Sequence, residues 1–263
     1  MAIDANSPIS SSLHTGALTN ISEQVTSGKR VNSGFDSPSD QALITALTTQ
    51  SSTQNIATQN ANTGISLLQT ANGASSQIGE NLLRLGELAT QALNGTLSSQ
   101  QRSMLNQEFQ KNLEGIQQIS DTTQFNGQNL LNGSNPSIDI ALEDSSTTLS
   151  LTNLSTSSLS IDGLNIRNQS NASDALNGIT NAIELISTQQ STFGAQQTGL
   201  TSAIDNIQNQ NYNANRALSQ INDTNYARAI TDQVRLQVLQ DSAIAMQAQQ
   251  NQSRSSVLQL LNS

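Results

Sequence analysis

The chain has 263 residues with no Cys or Trp, four Phe and two Tyr, so the large side chains that usually fill the centre of a globular domain are scarce. Only 11% of residues are charged while Ser, Thr, Asn and Gln make up close to half, against about a quarter charged in an ordinary soluble protein, which leaves little long-range repulsion between copies. A formal net charge of -9 with ten Lys and Arg argues against a nucleic-acid partner, and the lack of Cys argues against a structural zinc or thiol site.

No run of about twenty apolar residues is present to span a membrane, and MAIDANSPISSSLHTG lacks the basic-then-apolar order of a cleaved signal. A first helix is expected from Ser7 as cap and Pro8 at the first helical position, with Leu13, Leu18, Ile21 and Val25 at helical spacing until SGKRVNSG (27–34) breaks the pattern. Ser37-Pro38-Ser39-Asp40 starts a second helix of about fifty residues, or ~75 Å at the usual rise. Its seam reads Leu67, Ala71, Ala74, Ile78, Leu82, Leu85, Ala89 and Ala92 in alternating steps of three and four, the pattern of helices packed along their length. Asn94-Gly95 closes this rod, Ser98 and Gln101 form a capping box, and Leu105, Phe109, Leu113, Ile116 and Ile119 supply a return helix.

Residues 121–170 change character. Ile138, Ile140 and Leu142, then Leu149 and Leu151, then Leu159 and Ile161 alternate with small or polar residues and predict short strands joined by turns at Asn132-Gly133 and Asp162-Gly163. Helix resumes with Asn171 as cap, and Leu176, Ile179, Ile183, Ile186, Gln190, Phe193, Gln197, Leu200, Ile204 and Ile207 predict a seam with two glutamines inside it that specify register. After an Asn-rich stretch at 209–225, Ile230, Val234, Val238, Ala245 and Ala248 form one apolar stripe, with Leu236, Leu239, Ala243 and Met246 on a neighbouring face and VLQLL near the C-terminus. So broad an arc needs more than one partner helix. The expected fold class is mainly α: a long antiparallel helical bundle with a small β-hairpin region, the terminal helices forming an inner coiled coil. Residues 1–42 and 209–263 are expected to form that inner domain and 43–208 the rest.

Chemistry-bearing constellations are thin. His14 is the sole histidine, so a multi-histidine metal centre is ruled out; Asp40, Glu87, Glu108, Glu114 and Asp174 read as solvated faces, helix starts or subunit contacts rather than a general acid and base. Lys29 and Arg30 follow Gly28 without phosphate-loop spacing and read as a hinge or an intersubunit salt bridge. The expectation is a protein that is not an enzyme, with no cofactor and no metal.

Several blocks, taken in order, resemble the bacterial flagellins: TSGKRVNSG (26–34), NANTGISLLQTANGA (60–74), LRLGELATQALNGT (83–96), TQFNGQNLLNG (123–133), LSQINDTNYARAI (218–230) and VLQDSAIAMQAQQNQSRSSVLQLLN (238–262). The resemblance covers about 1–133 and 171–263 and implies a short form: inner terminal-helix and tubular wall layers with no large outer domain. It implies a structural subunit that homopolymerises into the helical tube of the flagellar filament, a propeller for swimming, outside the cell. Implied partners are copies of itself, the flagellar export apparatus and its chaperone, the filament cap and the hook-filament junction protein.

Assembly through the inner layer is expected at Leu18, Ile21, Val25, Ile230, Val234, Val238, Met246, Leu260 and Leu261. An animal innate receptor recognises some members of the family on the first long helix; that pattern maps to Arg84, Leu85, Gly86, Glu87 and Leu88, with Gln91 one turn on, and Gly86 stands in place of an arginine. Arg84, Glu87, Leu88 and Gln91 are therefore expected as a filament contact or a receptor face. GFDSPSD (34–40), where flagellins more often carry paired aspartates followed by alanines, together with SGKR resembles the junction protein, a related rod that does not polymerise, and this is the alternative reading.

Overall fold

The computed structural model describes residues 8–143 and 145–261. Its elements are helices α1 (Pro8–Ser27), α2 (Pro38–Ala92), α3 (Ser99–Thr122), α4 (Gln169–Asn222) and α5 (Tyr226–Leu261), and strands β1 (Gln124–Phe125), β2 (Gln128–Asn129), β3 (Ser137–Ala141) and β4 (Ser146–Ser150). The fold is mainly helical with small antiparallel hairpins, as the periodicity predicts. The chain divides into two compact units, Ser52–Asn211 and Met1–Ser51 with Tyr212–Ser263.

The Ser52–Asn211 unit is organised by one seam. Buried positions on α2 run Ala57, Ala61, Gly64, Leu68, Ala71, Ser75, Ile78, Leu82, Leu85, Ala89 and Ala92, and on α4 they run Ala172, Ala175, Ile179, Ala182, Ile186, Gln189, Phe193, Leu200 and Ile204. Both follow the three-four alternation that keeps a stripe facing an antiparallel neighbour. Gly64 faces Leu200, Gly79 faces Ile186, Gly86 faces Ile179 and Gly95 faces Gln169. The interval from Gly64 to Gly86 matches that from Leu200 back to Ile179 to within one residue, so the helices stay in register for about 33 Å. Each buried Leu, Ile or Phe along the seam contributes about 1.5–3 kcal/mol.

The seam on α4 lies one residue from its predicted place at alternate positions. Ala175, Ala182 and Gln189 are buried, whereas Leu176, Ile183, Gln190 and Gln197 are half-buried at its edge. Leu176 and Ile183 still pack against the core from the flank. Alanine in the seam lets the backbones approach, and the larger side chains then fill the margins. Gln189, one residue before the predicted Gln190, accepts from Thr152 Oγ1. A similar shift on α2 buries Ser75, whose hydroxyl donates to Ala71 O at 2.8 Å, and leaves Ala74 half-buried.

The predicted capping box starts α3: Ser98 Oγ accepts from Gln101 N and Gln101 Oε1 accepts from Ser98 N. The turn before it is held by Arg102, whose guanidinium donates to the carbonyls of Ala92, Asn94 and Leu97 at 2.9–3.0 Å. The Ala92 carbonyl ends α2, so the cation also complements the negative end of that helix. Beyond α3, β1 and β2 close around Asn126 and Gly127, both at positive φ, the conformation that a two-residue hairpin requires. Strand β3 pairs with β4 from Ser137↔Ser150 to Ala141↔Ser146, and its Ile140 sits over Gly64, where a Cβ would lie 3.1 Å from both Ile140 and Leu200.

Leu159 and Ile161 are buried as expected but lie in turns rather than a strand. Their backbone amides bond locally, to Ser155 O and Thr156 O, and α3 takes up other polar groups of the segment. Asn106 Oδ1 accepts from Ile166 N at 2.9 Å, Gln110 Nε2 donates to Leu164 O at 2.8 Å, and Gln117 Oε1 accepts from Thr156 N and Oγ1. At spacings of four and seven these side chains share one face of α3 and replace the sheet partner that a strand would need. Helix α4 starts earlier than predicted, because Asn168 rather than Asn171 is its cap: Asn168 Oδ1 accepts from Asn171 N at 2.8 Å. It also continues through much of the Asn-rich stretch to Asn222.

Asn106 is 5% exposed, so Asn106→Ala leaves the Ile166 amide unpaired and is expected to destabilise the fold by about 1–3 kcal/mol in urea denaturation. Gly64→Leu would overfill the space under Ile140 and is expected to cost about 1–3 kcal/mol by the same measurement.

Candidate assembly surfaces

In the unit formed by the two chain ends, the breaks between α1 and α2 and between α4 and α5 are joined. Lys29 and Asp223 form an isolated antiparallel bridge, Arg30 N donates to Asn222 O at 2.5 Å and Thr224 N to Gly28 O at 3.0 Å. The Arg30 guanidinium donates to Ile221 O, occupying a carbonyl in the last turn of α4, and to Asp40 Oδ2 at 2.8 Å. Tyr226 Oη donates to Val25 O at 2.9 Å and lies 3.4 Å from where a Cβ on Gly28 would stand; Gly28 has φ +70, which only glycine adopts without strain. Arg30, expected in a hinge or intersubunit bridge, thus makes its ion pair within the chain.

The turn that follows is held by Asp36, whose Oδ2 accepts from the backbone amides of Asn32 and Ser33, both at 2.9 Å. Those amides, Ser33 first, hold the Asp36 carboxyl below its ordinary value. Hydrogen bonds from Arg30 and then Ser37 do the same for Asp40 in the first turn of α2. Between them Phe35 projects into solvent, 99% exposed.

Helix α1 packs on α5, with Leu18, Ile21 and Val25 half-buried. On α5 the shielded positions are Ala229, Gln233, Leu236, Gln240 and Ala243, again in three-four steps. Ile230, Val234, Val238 and Met246, the stripe expected to drive assembly, stand 47–60% exposed, together with Leu239 and Ile244. This face is therefore unpartnered within the described chain. The side chains of His14, Leu260 and Leu261 lie outside those described.

Of the four residues expected on the α2 face, two are joined by charge. Arg84 donates to Glu108 Oε1 through Nε and Nη2 and to Glu87 Oε2 through Nη1 at 2.8 Å. Those carboxylates, Glu108 first, raise the Arg84 pKa further. Gln91 is exposed nearby, but Leu88 is fully buried: it faces the core and offers no surface to a partner. Gln91, Leu97, Met104 and Leu105 line an open depression of about 500 Å³ at the α2–α3 turn, with Met104 60% exposed.

Among the described residues there is no group of three or more His, Cys, Asp or Glu able to hold a metal, and no helix is long and apolar enough to cross a membrane. The sequence reading missed Phe35, Arg102 and, on the shielded stripe of α5, Ala229, Gln233 and Gln240, although it placed Leu236 and Ala243 on an apolar face. Phe35 lies off any helical period among turn formers, and an aromatic in such a setting was the available signal. Arg102 is a solitary charge near a helix start, and only the turn geometry reveals its carbonyl partners.

Asp36 and Asp40 titrate at lowered pKa values in the folded chain, so what they contribute is complete at neutral pH and is lost as pH falls through those values. Acidification is expected to lower the hydrogen-exchange protection of the Asn32 and Ser33 amides before that of the Ser52–Asn211 bundle. Asp36→Asn should reproduce the loosening at neutral pH.

The profile of the bacterial flagellin N-terminal helical region matches residues 4–136, and that of the bacterial flagellin C-terminal helical region matches residues 176–261. A flagellin of Halalkalibacterium halodurans is 34% identical over 91% of this chain and 90% of its own length. Among solved structures, Bacillus cereus flagellin aligns with a TM-score of 0.53 at 30% identity, covering 57% of this chain and 88% of that one. A Vibrio parahaemolyticus protein considered to be flagellar hook-associated aligns with a TM-score of 0.63 over 72% of this chain and all of that one, but at 15% identity it shares only the fold. With both helical regions matched across the two arms and no large outer domain between them, the chain belongs to the bacterial flagellin family.

Proposed function

We propose that this chain polymerises into the helical tube of a flagellar filament outside the cell, and that the tube serves as a propeller for swimming. The observation that carries the reading is the exposed stripe Ile230, Val234, Val238 and Met246 on a helix whose opposite face is already covered by α1. An amphipathic helix in water normally hides its apolar face, and a second, uncovered stripe of this size fits burial against copies of the same chain. Low surface charge permits such side-by-side packing. In this reading residues 1–42 and 209–263 form the inner layer and 43–208 the wall. Leu18, Ile21, Val25 and the α5 stripe make inner-layer contacts, with Leu260 and Leu261 extending them.

The same reading assigns the flagellar export apparatus and its chaperone, the filament cap and the hook-filament junction protein as partners. Arg84, Glu87 and Gln91 remain candidates for a filament contact or a host-receptor face. Their carboxylate-guanidinium network already satisfies Arg84 inside the chain, which favours a contact that docks over the network rather than one that breaks it.

Val238→Asp places a charge in the proposed interface. It is expected to abolish filaments in negatively stained, concentrated protein, while circular dichroism of the monomer stays largely unchanged. Filaments of normal length from this variant would overturn the proposed burial. Persistent monomers or short rings from the unaltered chain would instead favour the junction-protein role.

A further inference from the structure

Among the described residues, the aromatic ring of Phe35 and the apolar depression at the α2–α3 turn stand uncovered. We propose that in the polymer Phe35 of one copy seats in the depression lined by Leu97, Met104 and Leu105 of the next. The inference rests on the filament reading above and adds to it a specific contact.

The ring cannot easily retract. Phe35 sits in a turn closed by Asp36, which accepts from Asn32 and Ser33 and whose own amide donates to Ser33 O at 3.1 Å. The base of the turn is tied through Arg30 to Asn222, Ile221 and Asp40, and the residue is 99% exposed. A rigid loop presenting a fully hydrated aromatic loses little conformational freedom when the ring is buried.

The receiving site is also preformed. Arg102 fixes the carbonyls of Ala92, Asn94 and Leu97, so the wall of the depression is held before any partner arrives. Met104 at its surface is pliable enough to fold around a ring and supplies a sulfur for it. The rim is Thr90, Gln91, Asn94 and Gln101, polar but uncharged, which suits a neutral aromatic, and the carboxylate of the adjoining Asp36 is already held by the Asn32 and Ser33 amides.

Knob and depression are different surfaces of one chain. A contact between them is heterologous, and a heterologous contact repeats from copy to copy, giving a ring where the rotation closes and an open helical polymer where it does not. This is the kind of contact that an extending tube requires.

The chain contains no cysteine, so introduced thiols can be read without background. Phe35→Cys and Met104→Cys chains are each copolymerised with excess unaltered protein and then together, under mild oxidation. Disulfide-linked dimers in the mixed polymer, absent when either variant is used alone, are expected. Independently, Phe35→Ser should raise the critical concentration for polymerisation about tenfold or more, and Phe35→Leu much less. Filaments that form without the mixed cross-link, at an unchanged critical concentration for Phe35→Ser, would overturn this contact and leave the filament reading standing. Cross-linking of Phe35→Cys to itself would assign the ring to a symmetric contact and also overturn it. Failure of the unaltered chain to polymerise would remove both.

Discussion

The narrow seam between α2 and α4 is the constraint on which the larger unit depends. Alanine, glycine and serine alternate along it with leucine, isoleucine and phenylalanine, so the helices approach closely and stay in register from Gly64 opposite Leu200 to Gly86 opposite Ile179. A protein with few aromatics cannot build a thick core, but it can bury a long, thin one. Everything else in the unit then covers the seam's margins. Helix α3 brings Phe109, Leu113 and Ile116, the β3–β4 hairpin lays Ile140 over Gly64, and the turns after β4 add Leu154, Leu159, Ile161 and Ile166.

The unit formed by the chain ends is built on a different balance. Hydrogen bonds concentrate where the helix breaks meet, around Gly28, Arg30, Ile221 and Thr224, whereas apolar burial along α1 and α5 is incomplete. A well-fastened root joined to helices with one covered and one bare face suits a part that is finished by its neighbours. Its polar anchor fixes where the helices begin, and in the proposed filament hydrophobic association between copies would supply the stability that the isolated pair lacks.

Sequence periodicity revealed most of the architecture because seam packing is written in three-four spacing. The proline starts at Pro8 and Pro38, the capping box at Ser98 and Gln101, and the strands that carry Ile138, Ile140 and Leu149 were all legible for local reasons. Which of two adjacent stripes faces the partner was not: Ala175 and Ala182 are buried in preference to Leu176 and Ile183, since closeness of approach outweighs side-chain size. On α5 the first stripe read from the sequence is the exposed one, and the shielded stripe joins Leu236 and Ala243 of the neighbouring face to Gln233 and Gln240, which a hydrophobicity pattern passes over. The turns at Leu159 and Ile161 were misjudged as strand because their amides bond locally, to Ser155 and Thr156, while the neighbouring Thr156, Leu164 and Ile166 are held by side chains of α3, remote in sequence.

The placement of the two tyrosines has a practical corollary. Tyr212 lies near the end of α4 under the Arg216 guanidinium, 5.7 Å from its ring centroid, and Tyr226 opens α5 with its hydroxyl on Val25. With no tryptophan in the chain, intrinsic ultraviolet emission comes from these phenols at the α4–α5 junction and scarcely at all from the long bundle. The molecule carries its own optical reporter, positioned where the chain ends are fastened together, and blind to melting elsewhere.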